Sequence, residues 1–385
     1  MAERDCILVT GGTGIVGTEL VRVLLLQPEA PEVVVLLRGA ASAREEKQAW
    51  LLDALGLPAR PERLIFVSGD VTAPGLGLEA AVGDALAARL TRVIHSAAVT
   101  SFRQTPERAF LNNVQSTRNV LELAGRCRRP AGVLHVSSAF VAGGRTGRIL
   151  EDDLDASTRF LNEYERSKLL SEQVARDAMA HLPVCVLRPS IVVGRREDGW
   201  VARFHGIYQV WELFHRGLVG LFPGDPEQPL DVIPADWLAE AIAHLALRRF
   251  RPGTTYHLCA GKERSLTVAE IVPYVISVLA EEDPEFARQK YPLPMAVPWD
   301  AFATFLETME LTGHRRLRIL ARQMHSICDT LMTNKVFDTA HLDADLAGAG
   351  VPLSRARDWL APSIRFAARR HWVDPTRRPD GGARA

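Results

Sequence analysis

At 385 residues the chain exceeds one typical domain, so one large domain with a lobe, or two domains, is expected. Hydrophobic residues make up 47%, enough for a sizeable core. Lys plus Arg and Asp plus Glu balance at 46 each, which argues against a general nucleic-acid binder, since such a protein carries a basic excess.

In chain order, strand-like runs fall at Cys6–Val9, Val33–Leu37, Leu64–Val67, Arg92–His95, Val133–Val136 and Val184–Leu187. Amphipathic helical stretches such as Gly17–Leu26, Pro106–Cys127 and Tyr164–Ala180 lie between them. This alternation predicts βαβ units around a parallel sheet with helices on both faces. After Gly194 the rhythm breaks. Residues 195–230 carry Trp200, Phe204, Tyr208 and Trp211, then a Pro223-Gly224-Asp225-Pro226 turn. A strand is expected at Leu230–Ile233, a helix at Ala235–Leu247, and mostly helix from Leu266 on. The Arg-, Pro- and Gly-rich tail from Asp374 is expected to be disordered.

The five cysteines, at 6, 127, 185, 259 and 328, form no CxxC pair and no metal-ligand spacing. They read as buried thiols of a cytoplasmic protein, with no metal site. Polar residues interrupt the first ten positions, so no signal peptide is expected. No apolar run approaches the roughly 20 residues that span a bilayer.

Val9-Thr10-Gly11-Gly12-Thr13-Gly14-Ile15-Val16-Gly17 follows the first strand and opens a helix. Its spacing satisfies both G-x-G-x-x-G and T-G-x-x-G-x-x-G. The glycines allow a tight turn, close backbone approach to a pyrophosphate, and close helix–sheet packing. The helix N-terminus offers free N–H groups to the phosphates. Thr10 to Gly17 are therefore expected to bind a dinucleotide. The second strand ends Leu36-Leu37-Arg38-Gly39, where an NAD site would place an acid. The planar fork of Arg38 suits a 2′-phosphate, which points to NADPH.

Tyr164 and Lys168 lie four apart in a helical segment and so share a face. A free tyrosine titrates near pH 10, and a neighbouring ammonium favours its phenolate. The two form a candidate acid/base couple. Ser138, just past the fifth strand, is the third candidate, able to donate to a substrate oxygen as charge develops; Ser137 ranks second for that role.

Together these residues resemble the extended short-chain dehydrogenase/reductases. Thr10–Gly17, Asp70 in Ser-Gly-Asp-Val, His95-Ser-Ala-Ala98, Asn113-Val-Gln-Ser-Thr117, Ser138, Tyr164/Lys168 and Leu187-Arg-Pro-Ser-Ile-Val-Val-Gly194 match in order, over residues 5 to about 195. The resemblance implies an α/β fold, a Rossmann-type doubly wound parallel sheet with a smaller, mostly helical carboxy-terminal substrate lobe. The NADP-binding domain would take 1–198, with 230–260 returning to it, and the lobe 199–229 and 261–373. It implies Asp70 and Val71 beside adenine, Ala97 and Ala98 along the cofactor channel, and Asn113 among the cofactor-binding set. It also implies Lys168 on the nicotinamide ribose, and Pro189 and Ser190 beside the nicotinamide. His95 would be structural or cofactor-lining.

Arg188-Pro-Ser-Ile-Val, Gly199-Trp200, Asp231-Val-Ile-Pro-Ala-Asp236 and Arg38 are more narrowly similar to fatty acyl-CoA reductases and thioester reductase domains; Thr333-Asn-Lys-Val-Phe-Asp338 is loosely so. That resemblance implies NADPH-dependent reduction of an acyl thioester, on coenzyme A or a carrier protein, to aldehyde or alcohol. The apolar stretch of Trp200, Phe204, Tyr208, Trp211, Leu213, Phe214, Leu218 and Leu221 would either line an acyl channel or pack as core. A homodimer is compatible with this reading; nucleic acid is not expected. The rivals are an NAD-dependent nucleotide-sugar epimerase or dehydratase, a hydroxysteroid- or flavonol-type ketone reductase, and a non-enzymatic NADP-sensing protein.

Overall fold

The computed structural model describes residues 4–376, apart from 58–59, 103, 130 and most of 313–332. The expected disordered tail therefore lies, beyond Thr376, outside the described residues. Strands β1 (Cys6–Thr10), β2 (Glu32–Leu37), β3 (Leu64–Ser68), β4 (Arg92–His95), β5 (Gly132–Val136), β6 (Val184–Pro189) and β7 (Thr255–Leu258) form one parallel sheet. Its order is β7-β6-β5-β4-β1-β2-β3.

Both faces are apolar because successive side chains point to opposite sides. Ile7, Val9, Val33, Val35, Ile94, Leu134 and Leu187 enter one core, and Leu8, Val34, Val93, Val133 and Val186 the other. The first core is covered by α1 (Ile15–Leu26) and α2 (Ala41–Ala54), together with the later helix Ala235–Leu247. The second is covered by α3 (Ala80–Arg89), α4 (Ser116–Arg126) and α5 (Glu163–Ala178). The expected Rossmann-type doubly wound sheet is thus present.

Two details depart from the sequence reading. The strand at 230–233 is two short strands, Pro229–Leu230 and Val232–Pro234, broken at Asp231. The carboxylate of Asp231 there accepts the backbone N–H groups of Ala260 and Gly261, both at 2.9 Å. The seventh sheet strand, Thr-Tyr-His-Leu, was not among the runs singled out.

A separate core gathers Val201, Tyr208, Trp211, Phe214 and Phe222 against the helices Val268–Glu282 and Ala361–Arg369. Lys335–Phe337 leaves that lobe and pairs in parallel with Gly147–Ile149. The buried carboxylate of Glu151 takes the N–H groups of His257 (2.9 Å) and His341 (2.6 Å), which ties this return to the sheet. Cys6, Cys127, Cys185 and Cys259 are buried free thiols. Among the described residues no helix is long and apolar enough to cross a membrane.

Candidate active site

The carboxyl ends of β1, β2, β4, β5 and β6 face one crevice, the place where open α/β sheets bind ligands. At the end of β1 the chain turns through Gly11, at φ +73°. A Cβ on Gly11 would lie 2.7 Å from the Ala97 nitrogen, and one on Gly17 would lie 2.1 Å from the Gly11 carbonyl oxygen. The loop therefore presses against the β4 end, and α1 against the loop, more closely than any side chain permits. Gly14 caps α1 without a side chain, and no acid stands in the first turn. The N–H groups of that turn are left to an anion, and the cradle fits a dinucleotide pyrophosphate. Thr13, Ile15 and Val16 are half-buried along it, and the Thr10 hydroxyl lies 3.3 Å from the Ala97 N–H.

Arg38 projects from the end of β2, with its guanidinium 3.9 Å from the Asp70 carboxylate. The other oxygen of Asp70 accepts the backbone N–H (2.9 Å) and hydroxyl (2.8 Å) of Thr72. Two cations of α2 join Arg38, a pair the sequence reading passed over. Lys47 donates to the Arg38 carbonyl and Arg44 to the Gly39 carbonyl, both at 2.6 Å. Half-buried Val71 is held through its carbonyl, which accepts from Asn119 at 2.8 Å.

Half-buried Ala97 and Ala98 follow β4. The chain after them is fixed by Asn113, which sits in a π-helical turn, Phe110–Gln115. Its amide accepts the Val99 N–H at 2.9 Å and donates to the Val99 carbonyl (3.2 Å) and the Ser167 hydroxyl (2.8 Å). The side chain of Asn113 is spent on the protein and shapes the channel through Val99.

Helix α5 begins at the N-cap Asn162, whose side chain accepts the Glu165 N–H at 3.0 Å. It meets the end of β5 rung by rung. The Tyr164 phenol lies beside the Ser138 hydroxyl. One turn on, Lys168 donates to the Val136 carbonyl at 2.6 Å. A further turn on, Glu172 accepts the Ser137 hydroxyl at 2.7 Å. Ser137 is thus taken up by Glu172, while Ser138 lies on the Tyr164 side. Ser138 also caps the turn Ala139–Ala142, accepting the Phe140 N–H at 3.2 Å.

Burial pushes the Tyr164 phenol above its ordinary value, and Glu165 adds to this against the Ser138 hydroxyl. Burial brings Lys168 down to about 8, with Glu172 opposing. The lowering of Tyr164 by Lys168 expected from sequence does not emerge in the chain itself, where burial raises the phenol. Beneath Lys168, burial and then the lysine's charge lower His95 to about 3 and hold His135 well below its ordinary value. His95 shares a hydrogen with the Thr10 hydroxyl at 2.8 Å, so both imidazoles stay neutral in the floor of the site. Pro189 and Ser190 are buried at the end of β6, with the Ser190 hydroxyl against Asp231 and Cys259.

Of the apolar stretch after Gly199, Tyr208, Trp211 and Phe214 are core, and the Tyr208 hydroxyl accepts the Gly194 N–H at 2.8 Å. Trp200, Phe204, Leu213 and Leu221 remain half-buried and Leu218 exposed. Among the described residues no group of His, Cys, Asp and Glu could hold a metal ion.

The sheet order, the glycine cradle and the grouping of Ser138, Tyr164 and Lys168 define a chain of the extended short-chain dehydrogenase/reductase type. Residues 9–242, more than half of the chain, match the NAD-binding family described as Male sterility protein, and the chain belongs to that family. It is 25% identical over 274 residues to "Fatty acyl-CoA reductase wat" of Drosophila melanogaster, covering 61% of this chain and 53% of that protein. It is 30% identical over 261 residues to "Isonitrile lipopeptide synthase" of Streptomyces coeruleorubidus, covering 65% of this chain and 17% of that protein. The chain thus spans about half, or far less, of these relatives. In fold it is similar to the terminal R domain of the myxalamid PKS-NRPS pathway, with a TM-score of 0.79, 24% identity, and coverage of 97% of this chain and 92% of that domain.

Proposed function

We propose that the protein is an NADPH-dependent reductase of acyl thioesters, carried on coenzyme A or on a carrier protein, yielding aldehyde or alcohol. The observation that carries this reading is the placing of Tyr164 beside Ser138 at the end of β5, with Lys168 one turn along α5 bonded to the Val136 carbonyl. Membership of a family whose relatives are called acyl-CoA reductases supports the substrate class. The nicotinamide supplies the hydride. Ser138 and Tyr164 would hold the thioester oxygen and stabilise its developing negative charge. Tyr164, kept protonated by burial, would give that oxygen its proton. Lys168, pinned to the Val136 carbonyl, would hold the ribose beside them. Thiol loss from the resulting hemithioacetal leaves the aldehyde, and a second hydride gives the alcohol.

The test is NADPH absorbance against a panel of acyl-CoAs, free ketones and nucleotide sugars. Oxidation is expected with acyl-CoAs; consumption with ketones alone rejects the thioester reading.

The three cations at the end of β2 favour NADPH over NADH. Arg38→Ala is expected to raise the KM for NADPH by roughly tenfold or more, since hydrogen bonds to charged groups contribute about 1.5–3 kcal/mol. The KM for NADH should hardly change. Equal losses with both cofactors would place the 2′-phosphate elsewhere.

A further inference from the structure

Glu172 lies outside the sequence-derived set, yet it is wholly buried one turn beyond Lys168. The last residue of β5 and the two that follow it meet three successive turns of α5: Ser138 lies beside Tyr164, the Val136 carbonyl accepts from Lys168, and Ser137 donates to Glu172. The carboxylate is fixed from behind by Arg188 of β6, whose Nε reaches both oxygens (3.0 and 3.2 Å) and whose Nη2 reaches one at 2.6 Å. Arg176 of α5 adds a bond at 3.1 Å. Arg188 is itself held by the carbonyls of Glu151 (3.2 Å) and Asp153 (2.6 Å), so the carboxylate cannot drift.

We propose that Glu172 is a positioning residue for the reaction: bonded to Ser137 and fixed by Arg188, it locks the Ser137–Ser138 strand end in register with Tyr164 and sets a carboxylate one helical turn from Lys168. This rests on the reading that Tyr164, Lys168 and Ser138 carry the chemistry. Every group facing Lys168 favours this role for Glu172. His95 from β4 and His135 from β5 are neutral and buried, and Tyr164 on α5 keeps its proton. Burial works to strip the lysine of its proton, and Glu172 is the charge that resists. Burial also works to protonate Glu172, but Arg188, then Arg176 and the Ser137 hydroxyl, hold its carboxyl below the ordinary value. Arg188 and Arg176 thus set Glu172, and Glu172 sets Lys168.

The test is the pH profile of kcat/KM. The native profile should fall above about pH 8 as Lys168 loses its proton. Glu172→Gln keeps the shape, removes the charge and leaves two guanidiniums unopposed. Its alkaline limb is expected to move down by about one pH unit. Glu172→Asp keeps the charge, so the limb should stay in place while kcat falls. Ser137→Ala should lower kcat with the limb and the NADPH Kd unchanged. A Glu172 that merely packs would lower Tm with the limb unmoved, and that result overturns the proposal. Should Glu172→Gln fail to fold, Ser137→Ala decides, because native kcat there refutes the positioning role. Full turnover by Tyr164→Phe would instead refute the underlying reading. Loss in that variant beside an unmoved limb in Glu172→Gln refutes only the role of Glu172.

Discussion

Tyr164→Phe is expected to lower kcat by roughly 10²–10⁴-fold, the range set by loss of a positioned general acid, with NADPH affinity unchanged. The substitution is narrow. The phenylalanine ring keeps its tilted contact with Phe102, 5.9 Å between centroids, and loses only the hydroxyl that meets Ser138. The direction of the Tyr164 shift explains why the loss should be large. Burial raises the phenol, so the free chain presents a proton donor at neutral pH. Reduction needs that donor, because the carbonyl oxygen gains negative charge as hydride arrives. The Ser138 hydroxyl pulls the other way and keeps the phenol from becoming too weak an acid. Steady-state turnover with an acyl-CoA, beside a fluorescence titration of NADPH, separates the two effects. Undiminished kcat would mean that another group supplies the proton.

Much of this arrangement is legible in the sequence, and the rest is not, for definite physical reasons. Strands β1 to β6 are apolar on both faces, so Ile7-Leu8-Val9 or Val33-Val34-Val35 announce themselves without partners. Strand β7 does not. His257 is buried there only because its ring meets Arg188 at 3.1 Å and the Asp338 carbonyl at 2.8 Å, and Tyr256 because Asp345 accepts its hydroxyl at 2.7 Å. Those partners lie 69 to 89 residues away in sequence. Tyr164, Lys168 and Ser138 are legible because helical period and the strand's end fix their places. Glu172 shares the period but looks like an ordinary solvated helix charge until Arg188 arrives from another strand. Arg44 and Lys47 are hidden for the same reason, since only the turn after β2 brings Arg38 and Gly39 back to them. Tyr208, Trp211 and Phe214 carry the opposite lesson. Their apolar surface suits a channel or a core equally, and packing against Val268–Glu282 and Ala361–Arg369 makes them core.

Arg188→Met is expected to cost about 3–5 kcal/mol of folding stability, the range for removing one member of a buried ion pair. Arg126→Met, which breaks an exposed pair with Asp84 at 2.9 Å, should cost under about 1 kcal/mol. The first pair reaches both carboxylate oxygens and the second makes one contact, and burial separates them further, with both side chains at 0% exposure in the first and at 48% and 71% in the second. Methionine fills much of the arginine's volume, so the loss is chiefly electrostatic. It strands the Glu172 carboxylate and the carbonyls of Glu151 and Asp153. The pH dependence gives a sharper signature than the magnitude. In the native chain Glu172 is depressed, so it contributes stability above its unfolded value of about 4.3, and that contribution fades as pH falls through the folded value. Without Arg188, burial, already the largest single influence, loses its main opposition and raises the carboxyl instead. The charged form then penalises the fold at neutral pH, and protonation relieves the penalty. Urea unfolding should therefore show a larger deficit for Arg188→Met at pH 8 than at pH 5. A deficit independent of pH would assign the loss to packing and to the orphaned carbonyls, and would remove Arg188 as the source of the charge on Glu172.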